Sequence, residues 1–282
     1  MKSFFSAICL TLCLATQQLS SYEFDQNTRL VTGYATGRFI SIDEDYARMG
    51  LVLPVFCCNG TGYFIDGRAY RFNNGKWAAS GGLGLRHDFG GCGWGIVGVN
   101  AFYDYRRGCS KSNFNQIGFG LEWFYDCFEI RANGYLPVST KTRTCKTCIF
   151  NDIGNGFEAT KKHVEFPYKG LDVEVGLPLV NHERGVLYAG AGPYYYHTTY
   201  NRFWGGFGRF AWYIGSVFSA EVRFSWDPRY KWNAQGYAQI SLPFNLFCSP
   251  NCCCSDLFCK PVHRNDMILT NKCCRWRWNW QD

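Results

Sequence analysis

The chain has 282 residues, 47% of them apolar and 18% aromatic, with 31 glycines and 16 cysteines but only 18% charged side chains. That length can bury a core without cross-links, and the composition excludes a disordered polymer; it suits many strands joined by glycine turns. The formal charge of +7 comes without an arginine-rich run or basic helix, so nucleic acid is not an expected partner.

Residues 1–20, MKSFFSAICLTLCLATQQLS, place Lys2 ahead of an apolar stretch from Phe4 to Ala15 and then a polar segment. This reads as a secretory signal peptide, too short to cross a bilayer. The expected destination is the outer membrane of a diderm bacterium, on a path where thiols tend to pair.

Period-two alternation then dominates. In GIVGVNAFYDYRRG, residues 95–108, Val97, Val99, Ala101, Tyr103 and Tyr105 alternate with Gly98, Asn100, Asp104 and Arg106. Segments of this kind give expected strands at 28–38, 46–56, 60–72, 76–88, 94–106, 114–125, 126–137, 167–178, 185–196, 207–217, 218–227 and 232–244. Twelve is an even number. Crossing a bilayer at a tilt takes about 9–11 residues per strand, whereas soluble strands average about 5–6. The fold class is therefore all-β: an antiparallel transmembrane β-barrel of about twelve strands over 28–244, with outer-membrane lipid around it. A soluble barrel is the alternative, with the charged parity outside and the aromatics packed within. Trp77, Trp94, Trp123, Trp204, Trp212, Trp226 and Trp232 fall near strand ends or on the apolar parity, as interface girdles would.

In the membrane reading the polar parity faces the lumen. It carries Asn100, Asp104, Glu122, Glu129, Arg131, Asp172, Glu174, Glu221 and Arg223. Phe102, Tyr135 and Tyr237 share that interior and crowd it, so poor conductance is expected. The connection 139–166, with Cys145 and Cys148, is too long and polar for a periplasmic turn and is expected outside the cell.

The string GVNAFYDYRRG, followed by QIGFGLEWFYDCFEIRANGYLPVST, resembles the β-domain of the inverse autotransporters, the intimin and invasin family. The elements are G-x-N-x-F-Y-D at 98–104, Gly118, Gly120 and Glu122, and A-N-G-Y-L-P at 132–137; YKGLDVEVGLPL and GVLYAGAGPYYY are weaker echoes. The resemblance implies a twelve-stranded outer-membrane barrel whose C-terminal passenger reaches the cell surface through its own barrel. The sequence departs from the pattern in having no peptidoglycan-binding module before the barrel and no immunoglobulin-like repeats after it, so a long-passenger adhesin is not expected of this polypeptide.

Catalytic and metal motifs are weak. His87, His163, His182, His197 and His263 are scattered singly, and no serine sits in a nucleophile elbow. The chain is read as non-enzymatic, without cofactor or metal; an outer-membrane hydrolase using Ser225 or Ser241 is one alternative, and a porin-like transport pore is the other. Disulfide candidates are Cys57, Cys58, Cys145, Cys148, Cys248, Cys252, Cys253, Cys254, Cys259, Cys273 and Cys274. Residues 245–282 read as a cysteine-rich C-terminal tail. Its seven cysteines are an odd number, which leaves at least one thiol for another molecule. This resembles the cysteine-rich, cross-linked envelope of chlamydia-like bacteria and implies other cysteine-rich envelope proteins as partners. A self-contained disulfide knot is the alternative. The favoured function is a surface-exposed structural or adhesion-type protein.

Overall fold

The computed structural model describes residues 28–280, apart from 59, 91–94, 110–111, 126–127, 139–141, 151–156, 183–184, 216, 245–259 and 266. The expected signal segment lies outside the described residues.

Strands β1 (Thr28–Gly37), β2 (Tyr46–Cys58), β3 (Thr61–Phe72), β4 (Trp77–Asp88), β5 (Ile96–Arg107), β6 (Asn113–Tyr125) and β7 (Phe128–Pro137) run as a meander. After two more strands, β8 (Arg143–Phe150) and β9 (Phe157–Pro167), the meander resumes as β10 (Lys169–His182), β11 (Gly185–His197), β12 (Arg202–Ile214), β13 (Phe218–Asp227) and β14 (Lys231–Phe244). Strand β10 pairs directly with β7, and β1 pairs with β14 from Thr28↔Phe244 to Gly37↔Gln235, which closes twelve antiparallel strands into a barrel. Closure leaves no free edge within the wall, as a bilayer demands. Strand β12 starts at Arg202, earlier than the expected 207, because Gly205 and Gly206 are ladder residues opposite Tyr194 and Pro193.

Alternation separates two environments. Leu83, Val99, Phe119, Leu121, Leu171, Val175, Phe210 and Val222 are exposed on the outer wall, while their strand neighbours are buried inward. Trp77, Trp204, Trp226 and Trp232 ring one end of this apolar surface, and Trp123 and Trp212 lie toward the other, matching aromatic girdles at two interfaces. The described residues contain no helix long and apolar enough to cross a membrane, so crossing falls to the strands.

The near rim holds Thr28 and Phe244, the end of β6 and the start of β7, and the end of β10 and the start of β11; the far rim holds the connection 138–168. That connection is not the expected loop. Strands β8 and β9 form a hairpin, joined by β15 (Thr270–Trp280) in a separate antiparallel sheet ordered β15-β9-β8. Strands β8 and β9 carry no sustained inside–outside alternation and so no barrel-like signal, whereas in β15 the run RWRWNW, 275–280, does alternate, a strand signal inside the expected tail.

The C-terminal segment is likewise no appendage in its described part. From Lys260 near the start of β7 it runs the length of the lumen and reaches the far rim at Thr270. There Met267 and Leu269 join a cluster with Phe39, Ile40, Tyr168, Tyr194, Tyr196 and Phe203 that fills the barrel mouth.

Candidate functional site

The lumen divides into an ionic layer below and this aromatic layer above. In the ionic layer Arg86 donates through Nε and Nη2 to Glu122 at 2.9 and 2.7 Å, and through Nη1 to the carbonyl of Lys260 at 2.6 Å. Arg131 pairs with Glu129 and, at 2.9 Å, with Glu174; Arg209 donates to Glu174 at 2.6 Å and lies 3.4 Å from Glu221, which also holds Arg223. Lys260 pairs with Glu129 from the threaded segment, and His263 sits 3.7 Å from Glu174 and 3.6 Å from Glu221. Buried charges persist only when paired and hydrogen-bonded, and here the wall and the segment complete each other's pairs.

Higher up, Arg264 forks onto Asp104, Nη1 to Oδ1 at 3.0 Å and Nη2 to Oδ2 at 2.6 Å, and lies over the Phe102 ring at 4.5 Å. Gly118 makes room for it. A Cβ at that position would stand 2.5 Å from Arg264 Nη2. Arg68, paired with Asp66, donates to the carbonyl of Val262 at 2.7 Å, and the Asn265 amide donates to the Tyr135 hydroxyl at 2.8 Å.

At the mouth, Arg106 donates to the Ile268 carbonyl at 2.6 Å, the Tyr168 amide to the Leu269 carbonyl at 2.9 Å, and Thr270 Oγ1 to Glu165 at 2.7 Å. The connection 38–45 folds inward over this point. Phe39, Ile40 and Ile42 are buried, and Ser41, at φ 62°, donates to the Thr270 carbonyl. Glu44 contacts Arg106 at 3.7 Å and Lys272 at 3.4 Å. Burial works against its charge, but Arg106, Lys272 and Lys76 together hold its carboxyl below the ordinary range.

Each polar residue assigned to the lumen from the sequence is buried or nearly so. Glu122, Glu129, Arg131, Glu174, Glu221 and Arg223 share one network, and Asp104 meets the threaded segment. Asp172 stands apart and accepts from Asn133 at 2.8 Å, while Asn100 packs over Gly120. Arg68, Arg86, Arg209, Lys260, His263 and Arg264 were not foreseen. The wall arginines lie on the inward parity and were legible there in principle; the segment residues offer no such signal. Ser225 and Ser241 are buried.

The cysteine expectations need correction. Cys145 is bonded to Cys109, which was not among the candidates. Cys148 is a free thiol, because residues three apart in a strand are about 10 Å apart, beyond disulfide reach. Cys273 and Cys274 are also free, and adjacent strand residues point to opposite faces. The side chains of Cys57 and Cys58, and all of Cys248, Cys252, Cys253, Cys254 and Cys259, lie outside the described residues.

A closed twelve-stranded wall with an apolar exterior, two aromatic girdles and a charged interior defines an outer-membrane β-barrel. Within that class, residues 63–183 match the profile of the family described as "Inverse autotransporter, beta-domain", so this part of the chain is similar to that family's barrel. An attaching and effacing protein homolog of Escherichia coli (strain K12) is 30% identical over 111 residues, 38% of this chain. The match spans 36% of that relative's length. A solved structure from a study of the in-meso crystallization of membrane proteins shares the fold, with TM-score 0.62 and 15% identity over 87% of this chain and 99% of the other. Outer membrane phospholipase A from Escherichia coli is more distant, with TM-score 0.43 and 11% identity over 82% and 95% of the two chains. That likeness carries no argument about activity.

Proposed function

We propose that this chain is a surface-exposed structural or adhesion-type protein, in which the barrel anchors segment 260–269 in its lumen and presents 270–280 at the far rim. The observation that carries the reading is the path of that segment. It crosses the lumen through paired charges and then adds β15 to the β8–β9 hairpin over eleven residues, which ties the displayed end to the barrel's largest connection. A transport pore draws less support, since the segment occupies the lumen and leaves a cavity of about 80 Å³ beside it, near Arg48 and Lys260. An epitope inserted between β8 and β9, at 151–156, is expected to bind antibody on intact cells. Binding only after the outer membrane is opened would place the far rim inside and defeat the reading.

Cross-linking to other cysteine-rich envelope proteins belongs to the same proposal. Its support is the set of free thiols at the far-rim sheet: Cys148, Cys273 and the exposed Cys274. With thiols blocked before lysis, the protein is expected to run as high-mass species without reductant, and C148S/C273S/C274S to run as monomer. A wild type that already runs as monomer would remove the cross-linking role.

A further inference from the structure

We infer that the three-stranded sheet is a docking surface for a sulfated polysaccharide. Its biological setting rests on the proposed surface display, but the surface itself is argued from charge and geometry. Strands β8, β9 and β15 hold seven Lys and Arg against two Glu, in a chain whose formal net charge is +7. Of the two acids, Glu165 is buried and already accepts from Thr270 and from the Cys109 amide at 2.7 Å. The other, Glu158, lies opposite Asn279 at the end of the sheet, on the face of Arg277 and two residues from Thr160, Arg277's ladder partner, leaving that face with three cations to one acid.

Three of the seven cations, among them both arginines of β15, share one face, and Arg143, Lys146, Lys161 and Lys272 share the other. Lys162 stands directly opposite Arg275, and Arg277 follows two residues along on the same side. Like charges directly opposed across a ladder are destabilising, so the arrangement calls for a polyanion to compensate it. Arg275 is held in place, its guanidinium 4.0 Å from the Tyr200 ring centroid. Cationic positions recur roughly every 7 Å along β15 and roughly 5 Å across to β9, a flat grid that suits a linear chain of fixed charges. Guanidinium forks match tetrahedral and planar oxyanions with paired hydrogen bonds, which favours sulfate-bearing sugars over merely carboxylated ones only where two arginines can reach adjacent groups; Arg275 and Arg277 provide that pair. The opposite face carries Lys146 and Lys161, the latter 5.0 Å from the centroid of the Trp276 ring. It therefore supplies a control with the same charge in the same sheet.

The test uses the full chain, folded in an uncharged detergent, on immobilised heparin at physiological ionic strength. R275Q/R277Q is expected to weaken binding by about tenfold or more, from the loss of two charge-assisted contacts, while K146Q/K161Q, with the same change in net charge, stays within about threefold. Desulfated heparin is expected not to bind. Equal losses in the two double variants would reduce the effect to net charge and overturn the site. Full binding to the desulfated polymer, or tighter binding to lipopolysaccharide vesicles that heparin fails to displace, would overturn the choice of ligand. Heat-dependent gel mobility confirms that each variant is folded. Because the purified protein has no sidedness, failure here leaves the epitope experiment to judge the display reading separately.

Discussion

Deleting residues 260–282 is expected to turn a barrel with little steady conductance into an open pore in planar bilayers. Twelve strands enclose more space than their inward side chains fill, unlike the smallest barrels. In this protein the surplus is taken up by the threaded segment, whose Lys260, His263 and Arg264 meet Glu129, Glu174, Glu221 and Asp104. Truncation removes those cations, and it also frees Arg68, Arg86 and Arg106 from the carbonyls of Val262, Lys260 and Ile268. A lumen wall with newly unsatisfied charges draws water, because solvation is the remaining way to offset the desolvation of those groups. The measurement is single-channel recording of the two proteins, with heat-modifiable mobility as the folding control. Equal conductance in the two would mean that the segment does not block the lumen.

What the sequence disclosed follows from periodicity. Tyr103 and Phe119 outward, Asp104 and Gly118 inward, are separated by a one-residue step that any strand enforces, so the wall and its polar lining were legible. Much of the rest lacked a period, the RWRWNW run of β15 excepted. Strand β9 carries Lys161 and Lys162 on opposite faces, a pattern that states no preference between solvent and core. The described residues of 260–269 form no regular element; partners such as Asp104 for Arg264 lie more than a hundred positions away. Cys145 and Cys148 stand three apart in sequence, but strand formation separates them and brings Cys145 to Cys109 at the β5–β6 turn. Gly118 falls on the inward parity, but what it makes room for, Arg264, is a property of the threaded state.

That contact supports the sharpest energetic expectation. Arg264 and Asp104 are almost wholly buried, 2% and 1% exposed, so R264A leaves a desolvated carboxylate whose remaining hydrogen-bond partners among the described residues are Gln116 and Ser80. Breaking a buried pair from one side costs about 3–5 kcal/mol, because the surviving charge is uncompensated, whereas replacing both members by apolar groups of similar volume is often near neutral. Urea unfolding in detergent should therefore show R264A strongly destabilised and R264M/D104L recovering most of the loss, a coupling that a merely additive pair of sites would not produce. Gly118→Val supplies an independent approach from the wall. Its side chain would occupy the space of the guanidinium fork and expel it from Asp104, so its cost in the wild type should approach that of R264A and shrink sharply once Arg264 is already alanine. A Gly118→Val penalty of the same size in both backgrounds would show that the clash lies with the backbone or with another neighbour, and that the pairing of Arg264 with Asp104 is not what locks the segment in the lumen.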